Sequence, residues 1–530
     1  MKLGDQQLKV LEEIELTDVP VLVTGSAGTG KSVVLRELVE RYRKADKNVA
    51  VAAPTGVAAL NVDGVTIHAL FRIPVGRILG PTGGYGSEGA SYFQNLDVLV
   101  IDEISMVRVD VMDAIDRALK FHRKNDAPFG GLKMVFFGDP FQLPPVVTKE
   151  DILANGQSRR QWETVYKKHP FFFSAGVFHS TECRVIELTE IYRQEGDQSY
   201  AKILTRIRTG GFSADDLEQL NDGSHFGSGP EKVLRVFGKN APVDEYNNLR
   251  LLRLGTRIQT YMARWQDVPN LGGIPIRYSD RLKTVPVQEY LQLAVGARVI
   301  FTKNDSQGRW VNGSLGFVRS ITHRSVNVDI DGGALVTVEP EKWEVRELVS
   351  YPPAKTGGRP QIWTAVTGWV IQLPLRLGWA ITVHKSQGIT LDKAVLSFAE
   401  QYFESGQAYV ALSRVKTMDG LYFLNQIASE HVFQPHIDAT IFMRKAEKFP
   451  YSEWHQKQAS EISRWDLLAP FLAQHGTDRV GFQQQIKAIY GRPSSQISPA
   501  RQVENIFEKL AAGQTDRVHQ MIEYIVENSP

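Results

Sequence analysis

Gly25, Gly30, Lys31 and Ser32 stand in the order G-x-x-x-x-G-K-S within VLVTGSAGTGKSVVLREL. A short apolar run precedes this loop and apolar residues at helical spacing follow it, so backbone N–H groups and a helix N-terminus are set to cradle phosphates. Lys31 then reaches the β- and γ-phosphates, and Ser32 holds Mg²⁺. In NLDVLVIDEISMV the apolar run from Val98 to Ile101 ends in Asp102 and Glu103. A carboxylate at such a strand end can hold Mg²⁺ through its water shell while its neighbour orients or deprotonates an attacking water. A third run, KMVFFGDPFQLPPV, ends in Gly138, Asp139 and Gln142, where a neutral amide can sense the γ-phosphate. TEIYRQ and YVALSRVKT carry Arg193 and Arg414 after apolar text. Each arginine suits either a surface salt bridge or neutralisation of a transferring phosphoryl group from across a cleft.

These groups need elements that hold them together. From Val21 to about Phe178 apolar strands alternate with amphipathic helices, which predicts a parallel sheet covered on both faces. A second α/β lobe is expected from near Val185, taking in RVIELTEIYRQ and VLRVFGKN and resuming at LGWAITVHKSQGITLDKAVLSF and GLYFL. Between these halves, short β-rich runs broken by Asn-Gly and Gly-Gly suit a small antiparallel barrel. The texture places the first lobe at 1–179, the second at 180–284 and 362–428, the inserted barrel at 285–361 and a helical part at 429–530. Thr477 and Thr515, each followed by Asp, are the expected helix starts in that last part. The fold class is therefore α/β, with two tandem parallel-sheet lobes, a β-barrel insertion and a helical C-terminal extension. The glycine-rich text within 72–93 lacks periodicity and suits a surface loop or small insertion.

At 530 residues the chain has room for about three or four compact domains. Its formal net charge is only +2, so a polyanionic partner must meet a local basic groove rather than a globally basic protein. A single cysteine, Cys183, excludes intrachain disulfides, four-cysteine zinc sites and protein-ligated iron–sulfur clusters. It suits a reducing cytosol and is expected to be a small buried filler. MKLGDQQLKVLEEIEL lacks the basic region and apolar core of a secretion signal, and no apolar run is long enough to span a bilayer, so a soluble intracellular protein is expected, cytoplasmic first with a nuclear or mitochondrial place as the alternatives.

The ordered blocks LGDQQLKVL, GSAGTGKS, APTGVAA, GVTIHAL, VIDEISMV, FFGDPFQLPPV, ELTEIYRQ, GWAITVHKSQGITLD and AYVALSR resemble superfamily-one helicases of the 5′-to-3′ branch, and most of all the PIF-type DNA helicases. They span about Leu3 to Phe423, and DEISMV followed by DVMDAIDRALK is similar to a signature of that group. The resemblance implies two RecA-like lobes, an SH3-like barrel, ATP and Mg²⁺ as cofactors, and single-stranded DNA and single-strand/duplex junctions as partners. It implies that Gln7 contacts the adenine, that Gly28, Thr29, Gly30, Lys31 and Ser32 hold the phosphates, and that Ser32 and Asp102 hold Mg²⁺ while Glu103 handles water. Gln142, Arg193 and Arg414 would report γ-phosphate status between lobes, and Gly388 would let the second lobe come close. Pro54, Thr55, Thr66 and His68 in one lobe, with Thr382, His384 and Lys385 in the other, would face the strand through contacts that read no bases. The implied activity is ATP-driven 5′-to-3′ movement on single-stranded DNA by a monomer that unwinds duplex, forked or quadruplex DNA, with 72–93 as its candidate wedge. Lys303, Arg309 and Trp310 either guide the strand or form a solvated hairpin. The C-terminal helices dock on the second lobe, bind a protein partner or recognise branched DNA. A RecD-like motor subunit, an ATP-gated nucleic-acid switch and an RNA-directed motor of the same superfamily are the alternatives.

Overall fold

The computed structural model describes residues 3–73, 92–146, 169–194, 196–227, 229–267, 285–351, 360–398 and 404–448, scattered positions between 472 and 509, and 514–527. The chain divides into two compact units, Met1–Thr440 and Ile441–Pro530.

In the larger unit, β1 (Val21–Gly25), β2 (Val49–Ala53), β3 (Val65–Thr66), β4 (Val98–Ile101), β5 (Lys133–Phe137) and β6 (Arg184–Leu188) form one sheet in the order β3-β2-β4-β5-β1-β6. Every pairing is parallel. Strands of this kind are covered on both faces and read as continuous apolar runs, as β1, β2 and β4 do. Val10, Leu11 and Ile14 of the helix Asp5–Leu16 and Val34, Leu35 and Leu38 of the helix Lys31–Lys44 pack into one core with Val21, Val23, Val135 and Phe137. Parallel strands bring all their carboxyl ends to one edge, where ligands meet sheets of this type.

β6 corrects the expected lobe boundary of 179/180. Its residues pair with β1, Val21 opposite Arg184 and Leu22 opposite Val185, so RVIEL is the edge strand of the first sheet. Nothing local to five residues of alternating burial tells which sheet they join. The second core begins instead with the helix Gln198–Thr209, where Tyr200, Ile203, Leu204 and Ile207 pack with Leu217, Leu220, Val236, Ile381, Leu396 and Phe423.

The second lobe opens with β7 (His225–Phe226) and β8 (Arg235–Phe237). Antiparallel structure follows: β9 (Gln259–Met262), β10 (Arg264–Asp267), β11 (Tyr290–Leu293), β12 (Arg298–Phe301), β13 (Leu315–Ile321), β14 (Val326–Ile330), β15 (Leu335–Val338), β16 (Glu341–Tyr351), β17 (Gln361–Gln372) and β18 (Leu375–Leu377). These make sheets ordered β15-β14-β13-β12-β18, β10-β17-β16 and β11-β9. β19 (Ala380–Thr382), β20 (Ala394–Leu396) and β21 (Leu421–Phe423) then complete a parallel sheet ordered β19-β8-β20-β21-β7. The insertion thus runs from Gln259 to Leu377, wider than the expected 285–361, because β10 pairs with β17 and β18 with β12 across long stretches of chain. Within it Trp310 is buried and stacked on Phe301 at 4.7 Å between centroids, Arg309 is held by Asp305 and Lys303 by Glu341. Trp310 is therefore a core residue rather than part of a solvated hairpin or a strand guide.

The candidate wedge lies mostly outside the described residues; at its flanks Phe71 and Phe93 stack with centroids 5.2 Å apart. Cys183 is only half-buried, with its thiol pKa pushed up by desolvation. In the smaller unit Leu472, Phe482, Ile486, Ile506, Val518, Ile522 and Ile525 share a core, and a helix runs Thr515–Glu527; Thr477 lies outside the described residues. No helix among the described residues is long and apolar enough to cross a membrane.

Candidate nucleotide and strand sites

The loop after β1 takes its shape from glycines. Gly28 and Gly30 have φ of +89° and +82°, which glycine adopts without steric cost. A Cβ on Gly28 would lie 2.4 Å from the Arg193 Cβ, and one on Gly30 would lie 2.4 Å from Gln7 Nε2. The two glycines thus admit the two side chains that close this side of the site. Gln7 Oε1 accepts from Gly4 N at 3.1 Å and its Nε2 donates to Thr29 O at 3.4 Å, which ties the first helix to the loop. Lys31 Nζ donates to Gly25 O at 2.7 Å and Ser26 O at 3.0 Å, and desolvation lowers its pKa.

A cavity of about 700 Å³ opens above this loop. Gln7, Gly28, Gly30, Lys31, Ser32, Asp102, Glu103, Gln142, Arg193, Gly388 and Arg414 all line it, so residues from nearly the whole of the larger unit converge on one place. Thr29 does not line it: the residue is buried and its hydroxyl donates to Ser26 O at 3.0 Å. Burial and the neighbouring Glu103 push the Asp102 carboxyl up to about 7, and burial also raises Glu103. Two adjacent carboxyls that resist ionising together fit a site that takes a cation. Among the described residues no group of three His, Cys, Asp or Glu side chains is placed to hold a metal. One or two carboxylates with substrate phosphates are the usual ligand set of Mg²⁺, and Asp102 beside the Ser32 hydroxyl in the same cavity fits it.

The far wall comes from the second lobe. Gln387 Nε2 donates to Glu103 Oε2 at 2.8 Å and to Gln142 Oε1 at 3.3 Å. The Tyr409 hydroxyl accepts from Ala27 N, inside the phosphate loop, at 2.8 Å. Arg414 is 2% exposed; its Nε donates to Val410 O and its Nη2 to Ser413 Oγ, and burial followed by the nearby Arg193 pushes its pKa down to about 10. Arg193 follows β6 on a segment tied to the phosphate loop by Tyr192 N donating to Gly28 O, so it stands on the first lobe's side rather than in the second lobe as expected; its Nη1 reaches Ser413 O at 3.4 Å. Two guanidinium groups lining one cavity, one buried and one half-buried, favour an anion between them. Gln387, Tyr409 and the lining residue Tyr192 were not singled out from the sequence, although each lies within a quoted block. The partners of Gln387 and Tyr409 are hundreds of residues away and the Tyr192 hydroxyl bonds the nearby Glu190, so just the aromatic or amide character of each was visible.

None of the seven expected strand contacts lines this cavity. Thr55, Thr66 and Thr382 follow or end β2, β3 and β19 and each caps a short helix, accepting from Ala58 N at 3.3 Å, Ala69 N at 3.2 Å and Lys385 N at 3.2 Å. An accepting hydroxyl keeps its own proton for one further bond. Thr66 and Thr382 are buried, whereas Pro54, Thr55, His68 and His384 are half-buried and Lys385 is exposed. Desolvation lowers the pKa of His384, and Nε2 of this side chain has no partner; the Lys385 pKa is lowered by desolvation and by Arg376.

Two parallel-sheet lobes meeting over a phosphate loop, one offering an amide and an arginine to the other's carboxylates, define a two-lobed protein of the phosphate-loop class. Residues 2–218 match the family described as PIF1-like helicase. The chain is 30% identical over 485 residues to the ATP-dependent DNA helicase PIF1 of Xenopus laevis, an alignment covering 89% of this chain and 67% of that protein. It is similar to Pif1 from Bacteroides sp in complex with ADP-AlF4, with a TM-score of 0.70, 34% identity and coverage of 84% of this chain and 98% of that one. Against Bacteroides Pif1 bound to ssDNA the TM-score is 0.59 at 34% identity, covering 84% and 97%. The chain belongs to the PIF1-like helicase family. It spans between 60% and 67% of the length of the first curated relatives it matches.

Proposed function

We propose that this chain is an ATP-dependent DNA helicase that moves 5′ to 3′ on single-stranded DNA and acts at single-strand/duplex junctions. The observation that carries this is the single cavity in which groups of both lobes surround the phosphate loop. Lys31 exchanges the Gly25 and Ser26 carbonyls for the β- and γ-phosphates, Gln7 and the Tyr192 ring flank the base, and Ser32 and Asp102 would hold Mg²⁺, which would supply neutralisation of phosphate charge. Glu103, its pKa raised by burial, takes the proton of the attacking water. Arg193 and Arg414 neutralise the γ-phosphoryl group as it transfers, and Gln142 and Gln387 sense it. Gly388, at φ +80°, leaves the second lobe free to approach the nucleotide.

Closure follows from that shared charge: the γ-phosphate draws Lys31 and Arg414 together, and its loss lets the lobes part. Pro54, Thr55, Thr66 and His68 hold the strand from the first lobe, while Thr382, His384 and Lys385 hold it from the second. Alternating grip between these sets moves the protein along the phosphates without reading bases. Support for DNA comes from relatives named ATP-dependent DNA helicases and from a relative solved with ssDNA. The test is ATP hydrolysis with and without single-stranded DNA, followed by unwinding of duplexes carrying a 5′ or a 3′ tail. Stimulated hydrolysis and unwinding from the 5′ tail alone are expected. Hydrolysis indifferent to DNA with no unwinding would leave a nucleotide-gated switch instead, and stronger stimulation by RNA would redirect the substrate.

A further inference from the structure

Asp139 follows β5, and its carboxylate is wholly buried. It accepts four hydrogen bonds: Phe141 N to Oδ1 at 3.1 Å, Gln142 Nε2 to Oδ2 at 3.3 Å, Arg208 Nε to Oδ2 at 2.9 Å and Arg208 Nη2 to Oδ1 at 3.0 Å. Arg208 is 4% exposed, lies 5.1 Å from the centre of the Phe141 ring and gives its remaining edge to Glu187 Oε1 at 2.8 Å. It stands near the end of the helix Gln198–Thr209, whose apolar face is part of the second lobe's core. Asp139, Gln142 and Glu187 all stand on or beside strands of the first sheet. The guanidinium is thus rooted in one lobe and bonded to the other.

Two parallel N–H bonds fix the plane of a carboxylate, which a point-like ammonium cannot do. With Asp139 fixed, one N–H of Gln142 is committed to it and Gln142 Oε1 accepts from Gln387, leaving the second N–H for a phosphate oxygen. Gln387 in turn holds Glu103 at 2.8 Å. A continuous run of hydrogen bonds therefore leads from a helix of the second lobe to the carboxylate beside the attacking water.

We propose that Arg208 is a positioning residue for hydrolysis: through Asp139 it sets the Gln142 amide, and through Gln142 and Gln387 the Glu103 carboxylate, so that movement of the second lobe is felt at the water. The proposal rests on the roles given above to Gln142 and Glu103. It is tested in the full chain by Arg208→Lys, which keeps a cation opposite Asp139 and loses the fork. Rates are expressed per site titrated with a fluorescent ADP, so that loss of folded protein does not count. The DNA-stimulated kcat is expected to fall about 10-fold with KM and ADP affinity within about 2-fold of the parent, the split left by removing an interaction made only in the transition state. In a Gln142→Ala background the same substitution should cost no more than about 2-fold, since residues acting in series are non-additive. An equal loss in both backgrounds, or equal losses in kcat and nucleotide affinity, would make Arg208 a structural ion-pair partner only and overturn the proposal. Should Arg208→Lys not fold, Glu187→Gln loosens the same guanidinium from its half-exposed side; a kcat loss of about 3-fold that vanishes in the Gln142→Ala background is expected, and an unchanged kcat overturns the proposal. Lys31→Ala separates the two layers. Hydrolysis retained in Lys31→Ala removes the site reading itself, whereas parental turnover in Arg208→Lys beside an inactive Lys31→Ala removes only the role of Arg208.

Discussion

Arg414 shows how one residue can be unfinished business for the fold. Its guanidinium is buried, bonds to Val410 O and Ser413 Oγ, and lies close enough to Arg193 for that charge to disfavour its own. Such an arrangement costs stability until an anion arrives, and the cavity it lines is where a γ-phosphate would sit. Arg414→Ala is expected to lower kcat by about 100-fold or more while nucleotide affinity changes only a few-fold, because an arginine finger acts on charge that develops in transfer. Single-turnover hydrolysis beside equilibrium binding of a fluorescent ATP analogue checks this; equal losses in both would mean that the residue binds ground-state nucleotide. At this scale the phosphate loop and the Asp102–Glu103 pair were legible because their chemistry uses neighbours in the chain. Gln387, Tyr409 and Arg208 were not, since an amide, a phenol or a guanidinium shows no partner until the chain has folded.

Elements are held by bonds that sequence shows only in part. The helix Ala214–Asp222 starts with a capping box, Ser213 accepting from Asp216 N and Asp216 accepting from Ser213 N. The neighbouring helix adds Arg206, which grips the same carboxylate with two nitrogens and, with the cap, holds its pKa down to about 2. A carboxyl depressed in the folded state stabilises the protein above its unfolded pKa, and that stability is lost as pH falls through the folded value. Asp216→Asn should therefore cost about 1–2 kcal/mol, discounted for the exposed arginine, with a constant difference from pH 7 to about pH 4. Urea unfolding of the parent and variant across that range is the measurement; a difference that fades between pH 7 and pH 5 would mean another group is titrating. The same scale explains the misplaced boundary at β6 and the wider insertion, because strand pairing is a choice among distant partners of similar apolar character.

For the whole molecule the decisive quantity is where charge lies. A net charge of +2 gives no general attraction to a polyanion, so the strand binding proposed above needs a local set of cations, Lys385 among them, beside the hydroxyl and imidazole groups near the ends of β2, β3 and β19. Those groups suit phosphates rather than base edges. Affinity for a homopolymeric single strand should thus fall steeply with salt, with a log–log slope of about −2 or steeper if roughly three or more phosphates are neutralised. Fluorescence anisotropy between low and moderate salt reads this slope, and a flat dependence would point to base stacking as the main source of affinity.

The order of motifs along the chain carried the family, the parallel-sheet class and most of the nucleotide cavity, because a phosphate loop, an acidic strand end and helix caps are written in short range by glycine freedom, apolar runs and adjacent polar side chains. Folding supplied what short range cannot hold: β6 at the edge of the first sheet, Trp310 in a core, Tyr409 on the phosphate loop, and Arg208 bonded to Asp139 from another lobe. Each of these depends on burial that removes water from two groups at once, and that happens only when distant segments of the chain meet.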